Sequence, residues 1–88
     1  MIEKQFTIVN RLGIHARPAA QIVKTASRFA AEIEIVLNSM RVNAKSIMGV
    51  MTLAAARGCT IAVCAEGNDG AEAVEALGTL IRNKFGED

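Results

Sequence analysis

Glu32-Ile33-Glu34-Ile35-Val36-Leu37-Asn38-Ser39-Met40-Arg41-Val42-Asn43 is the stretch from which the architecture follows. Its first half alternates, so a strand would turn Ile33, Ile35 and Leu37 to one face and Glu32 and Glu34 to the other. Asn38-Ser39 reads as a two-residue turn into a shorter strand, Met40 to Asn43. Serine is a poorer choice than glycine there, because both central residues of such a turn are expected at positive φ. A strand with one apolar and one charged face belongs to a sheet covered on one side only, and hairpin-linked strands are antiparallel.

The flanking segments extend this pattern. Ile2 to Val9 alternates as a strand with Ile2, Phe6 and Ile8 on one face. Asn10 to Ile14 is a connection with Gly13 as its turn residue. Helical spacing follows His15 through Ala19, Ile22, Val23, Ala26 and Phe29, with Pro18 in the first turn, where its missing N–H costs nothing. Beyond the hairpin, Ser46 is placed to cap a short helix from Ile47 to about Leu53, and Arg57-Gly58 closes the connection after it. Cys59 to Ala65 is a fourth strand with Cys59, Ile61, Val63 and Ala65 on one face. Asp69 and Glu72 read as a capping box opening a last helix through Ala73, Val74, Leu77, Leu80, Ile81 and Phe85. The order is β-α-β-β-α-β-α, an antiparallel α+β domain of two layers spanning residues 1–88, with no linker or repeat.

Length and composition exclude several functions. Eighty-eight residues hold one hydrophobic core, and 51% hydrophobic content rules out disorder. The chain has three Phe, no Trp and no Tyr, so it lacks the stacking platforms of single-strand nucleic-acid binders. One His and two Cys are too few for an ordinary zinc site. No metal and no cofactor are expected. Cys59 and Cys64 in one strand would lie about 16 Å apart, beyond disulfide reach. With no run long enough to cross a bilayer, a cytoplasmic protein without membrane insertion is expected.

Charge is unevenly placed. Residues 1–57 carry eight Lys/Arg against three acids, a balance of +5, whereas residues 58–88 carry two against six, or −4. That split suits steering toward an acidic protein surface or a phosphate group and is too weak for nucleic-acid binding.

Gly13-Ile14-His15-Ala16-Arg17-Pro18-Ala19 concentrates the chemistry. The only histidine stands at a helix entrance, where free N–H groups and the helix dipole favour an anion. The same field disfavours the imidazolium and keeps a ring nitrogen available as nucleophile. Arg17 adds a guanidinium suited to phosphate oxygens, so Ala16, Arg17 and Pro18 form the cradle. A lone histidine before a helix is otherwise an ordinary loop or capping residue. No Mg²⁺-binding carboxylate cluster or glycine-rich nucleotide loop accompanies it, so the chain cannot take phosphate from ATP unaided. It reads as a phosphoryl-transfer intermediate rather than a self-sufficient enzyme.

That heptapeptide resembles the active-site signature of the HPr family, the histidine-containing phosphocarriers of the bacterial phosphotransferase system. Lys45-Ser46-Ile47-Met48-Gly49-Val50-Met51 resembles the same family's second signature. The resemblance implies an open-faced β-sandwich, a four-stranded antiparallel sheet of order 1-4-2-3 covered on one face by three helices. It implies that His15 accepts a phosphoryl group on Nδ1 from phosphorylated enzyme I and passes it to the A-domains of enzymes II. Ser46, in bare sequence an N-cap, resembles the regulatory site of HPr kinase/phosphorylase. The expected docking surface comprises Ile14, Lys24, Lys45, Ile47, Met48 and Met51, on a protein expected to be monomeric.

Some positions depart from the family pattern. Leu12 stands where many relatives carry a small polar residue, Asn38-Ser39 replaces the more usual Asn-Gly, and Ala54 stands where glycine is common. NPr, the carrier of the nitrogen-related branch, is the nearest alternative and often has an apolar residue before the corresponding glycine. A small nucleic-acid-binding module and an inert interaction domain are the more distant ones, disfavoured by the missing aromatics and by the presence of His15.

Overall fold

The computed structural model describes residues 1–87. Its elements are β1 (Ile2–Thr7), α1 (Ala16–Ala26), β2 (Glu32–Leu37), β3 (Met40–Asn43), α2 (Ile47–Thr52), β4 (Thr60–Glu66) and α3 (Gly70–Arg82). The four strands form one antiparallel sheet in the order β1-β4-β2-β3, as expected. Ile33, Ile35, Ile61 and Val63 turn to the helix side and are almost wholly buried with Ile8, Ile22, Leu77 and Ile81. An aliphatic core of this kind relies on the burial of branched side chains, each contributing about 1.5–3 kcal/mol.

Helix α3 lies over β1 and β4, and α1 packs on α3 and α2. The approach of α3 to the sheet is close because Gly78 faces Phe6. A Cβ at Gly78 would stand 2.5 Å from the Phe6 ring. Lys4 shares the helix side of edge strand β1 and escapes burial by pairing with Glu75 on α3.

The other face of the sheet is open, and one row across it joins Glu3, Cys64 and Glu34. Cys64 is nonetheless buried there. It is 4% exposed, with its thiol 3.6 Å from a Glu3 carboxylate oxygen, and burial together with that carboxylate pushes the thiol pKa up. Cys59, expected on one strand face with Ile61, Val63 and Ala65, is half-buried just before β4 and lies outside the core cluster. Both cysteines are free.

Three local expectations change. Strand β1 ends at Thr7 because the pairing beyond it becomes irregular, Ile8 bonding through its N–H to Cys59 and through its carbonyl to Gly58. In the β2–β3 turn Asn38 alone takes positive φ, so the turn never asks Ser39 for a glycine-like backbone. The Asp69–Glu72 capping box does not form. The Asp69 carboxylate instead accepts the backbone N–H groups of Ala30 and Ala31, each at 2.8 Å, tying the α1–β2 loop to the start of α3.

Candidate phosphoryl-accepting site

The site begins with a turn that only glycine fits. Gly13 has φ +68° and donates to the Asn10 carbonyl, and a Cβ there would fall 2.4 Å from the Ala55 oxygen. The next N–H, from Ile14, bonds to that same oxygen at 2.8 Å. This clasp drives the Ile14 side chain into the core, 5% exposed, so Ile14 anchors the loop and is not available as a docking residue.

His15 follows as the N-cap of α1, in extended conformation, its carbonyl accepting from Ala19. The imidazole makes no capping bond and is about one third exposed. The N–H groups of Ala16 and Arg17 have no partner among the described residues, as the first donors of a helix generally lack one. Pro18 is buried and has no N–H to offer, so its part in the cradle is to fix the first turn. Arg17 is exposed and without an ion pair among the described residues, leaving its guanidinium free to reach an incoming anion.

Two residues that the sequence did not single out complete the site. Glu87 Oε1 lies 2.8 Å from His15 Nε2 and also accepts the Asn10 side-chain amide at 2.9 Å. Asn10 is fully buried, and its amide nitrogen donates to the Gly13 carbonyl as well, at 2.7 Å. The hydrogen bond from His15, that from Asn10 and the charge of Arg17 hold the Glu87 carboxyl below its ordinary range. It is therefore a carboxylate at neutral pH, and a carboxylate only accepts. The proton between the two side chains belongs to Nε2, and in a neutral ring the lone pair of His15 is then on Nδ1.

Helix α2 lies beside α1. Ser46 caps it through Oγ, which accepts from the Gly49 N–H at 3.1 Å, as its position before Ile47 suggested. Ile47, Met48 and Met51 are exposed, Met48 to 78%, while Val50 is buried. Lys24 is exposed in the last turn of α1. Lys45 is half-buried, its ammonium bonding to the Phe29 carbonyl at 2.7 Å, just beyond the end of α1.

Residues 2–83 match the family model described as the PTS HPr component phosphorylation site. The chain belongs to the HPr family. It is 49% identical to the phosphocarrier protein HPr of Treponema pallidum (strain Nichols) over 88 residues, the whole of both chains. It is similar to the crystal structure of HPr-C-His from Thermoanaerobacter tengcongensis with a TM-score of 0.96 and 48% identity, covering 100% of this chain and 99% of that one. The crystal structure of an HPr dimer from the same organism aligns with a TM-score of 0.80 and 48% identity, over 99% and 100% of the two chains. The chain is thus an HPr phosphocarrier of the phosphotransferase system. No helix among its described residues is long and apolar enough to cross a membrane.

Proposed function

We propose that His15 is the phosphoryl acceptor through Nδ1, taking the group from phosphorylated enzyme I and delivering it to enzyme II A-domains. The observation that carries this reading is the 2.8 Å contact between His15 Nε2 and Glu87, which commits one ring nitrogen and leaves the other as nucleophile. Attack forms the Nδ1–P bond while the donor's bond to phosphorus breaks, its electron pair staying with the donor. His15 loses no proton in this step. The ring gains positive charge, which the Glu87 carboxylate beside Nε2–H offsets. The free N–H groups of Ala16 and Arg17, the α1 dipole and the Arg17 guanidinium receive the phosphoryl oxygens.

The cradle is shallow and open, which suits a carrier. A group held by one guanidinium and two amides is stabilised without being trapped, so the next acceptor competes for it on nearly equal terms. Exposed Ile47, Met48 and Met51 with Lys24 and Arg17 form the docking surface, and flexible Met side chains suit a surface that fits several partners in turn. The working unit is a monomer, and Ser46 is the residue on which a kinase would act to regulate it. Leu12, 69% exposed, favours a second reading in the nitrogen-related branch, since it brings no polar group to the phosphate.

Incubation with enzyme I and phosphoenolpyruvate, followed by intact mass and ³¹P NMR, tests the reading. An acid-labile phosphohistidine that His15→Ala abolishes is expected. Label that survives that substitution would overturn it. Comparing sugar-branch and nitrogen-branch enzyme I as donors decides between the two outputs.

A further inference from the structure

We propose that Asn10 and Glu87 are a positioning pair that fixes the tautomer of His15, an inference that rests on His15 being the acceptor. Three independent features of the chain converge on this one contact.

The first is the shared acceptor. Glu87 Oε1 takes the His15 Nε2–H and an Asn10 Nδ2–H at once, at 2.8 and 2.9 Å. The carboxylate is held from both sides, so the proton on Nε2 faces an acceptor that does not wander.

The second is Asn10 itself. It is the one fully buried polar side chain of the described residues, and its Oδ1 has no hydrogen-bond partner. Turning the amide over would set that oxygen against two acceptors, the Gly13 carbonyl and Glu87, so the observed orientation is the favoured one. Both donors serve the site and the acceptor is left over. The two donated hydrogen bonds are therefore what orient this buried amide.

The third is the backbone that delivers Glu87. Lys84, Phe85 and Gly86 have φ of 57°, 55° and 75°, three successive residues in the left-handed region. For the two that are not glycine this conformation is strained and persists only where the surroundings hold it. Phe85, 2% exposed, is locked in the core, and its carbonyl accepts from Gln21 Nε2 at 3.0 Å. The outcome of that turn is a carboxylate on the ring of a residue 72 positions earlier. Asn10, itself held on the Gly13 carbonyl, anchors the same carboxylate from the loop that places His15, so both ends of the contact are built.

The consequence is control of the ring before and after transfer. With Nε2–H held, Nδ1 presents its lone pair to phosphorus. Once Nδ1 carries the phosphoryl group, the cationic ring keeps its counter-charge.

Long-range ¹H–¹⁵N NMR of the unphosphorylated protein, at a pH where the ring is neutral, reads the tautomer directly. The wild type is expected to show Nε2–H alone. Glu87→Ala is expected to bring up a resolvable Nδ1–H population, and Glu87→Asp to restore the wild-type pattern in part. Asn10→Ala is expected to shift the pattern in the same direction but less. Glu87→Gln is expected to keep the tautomer yet lose about tenfold in phosphotransfer rate, because the amide accepts the hydrogen bond without the charge. A Glu87→Ala ring indistinguishable from wild type would overturn the proposal even if phosphohistidine forms. A shifted tautomer together with no phosphohistidine in the wild type would leave the positioning pair standing and remove the carrier reading.

Discussion

The backbone at Gly13 and the carbonyl of Ala55 are in contact with no space between them for a side chain. A Cβ on residue 13 would sit 2.4 Å from that oxygen and 2.9 Å from the Ala56 Cα. This one approach sets the level at which the chain enters α1, and hence where His15 stands. Gly13→Ala should therefore lose at least about 2 kcal/mol, from left-handed strain and the backbone clash together. Phosphotransfer should fall in the protein that remains folded. Urea denaturation measures the first effect, and a loss below about 0.5 kcal/mol would show that the clasp yields easily.

Ala54 offers the opposite case. Its φ of 51° places an exposed non-glycine residue in the left-handed region just after α2. Ala54→Gly should stabilise the protein by about 0.5–1 kcal/mol, the relief of strain exceeding the added freedom of the unfolded chain. A melting temperature that falls in this variant would contradict that balance.

Asp69 makes stability depend on acid. The backbone N–H of Ala30, then that of Ala31, holds its carboxyl below the ordinary value of 3.8. A depressed folded value means the stabilisation is fully present above 3.8 and is lost as pH falls through the lower folded value. Asp69→Asn should flatten the acid limb of a stability-against-pH curve while leaving the slope near neutrality unchanged. An unaltered acid limb would mean that the two hydrogen bonds contribute nothing to folding.

Met48 is exposed to 78% and stands on α2 beside the site. Met48→Lys should change stability by no more than about 0.5 kcal/mol, as surface substitutions generally do. The same substitution should raise the KM for enzyme I in a coupled assay. Unchanged kinetics would remove Met48 from the docking surface.

Ser46→Asp should slow phosphotransfer, and the defect should shrink as salt rises, because a negative charge beside Ile47 and Met48 opposes an acidic partner. The fold should be kept, since a carboxylate at an N-cap still accepts from the Gly49 N–H. A defect that persists at high salt would point to a steric cause instead.

The periodicity of residues 32–43 was enough to read the hairpin, the one-sided sheet and the two-layer class, because side-chain alternation in a strand is a local property. The two signatures around His15 and Ser46 were legible for a similar reason, each being continuous in sequence. What escaped were relations between distant segments. Asp69 looked like a cap because Glu72 is three residues on, yet its partners are Ala30 and Ala31. Ile14 and Lys45 looked available beside the signatures, yet one is drawn into the core and the other onto the Phe29 carbonyl. Glu87 carried no local signal at all, and Asn10 looked like any loop residue.

By itself the sequence determined a single aliphatic α+β domain with its one histidine at a helix entrance. Alternating apolar residues, a first-turn proline and a lone histidine suffice for that. Only the tertiary structure decided what the ring of that histidine meets. That depends on a strained turn at residues 84–86 bringing a carboxylate to a residue 72 positions away, and on a buried Asn10 that holds it there. Such a contact has no periodicity to betray it, because it is set by how the layers close and not by any spacing along the chain.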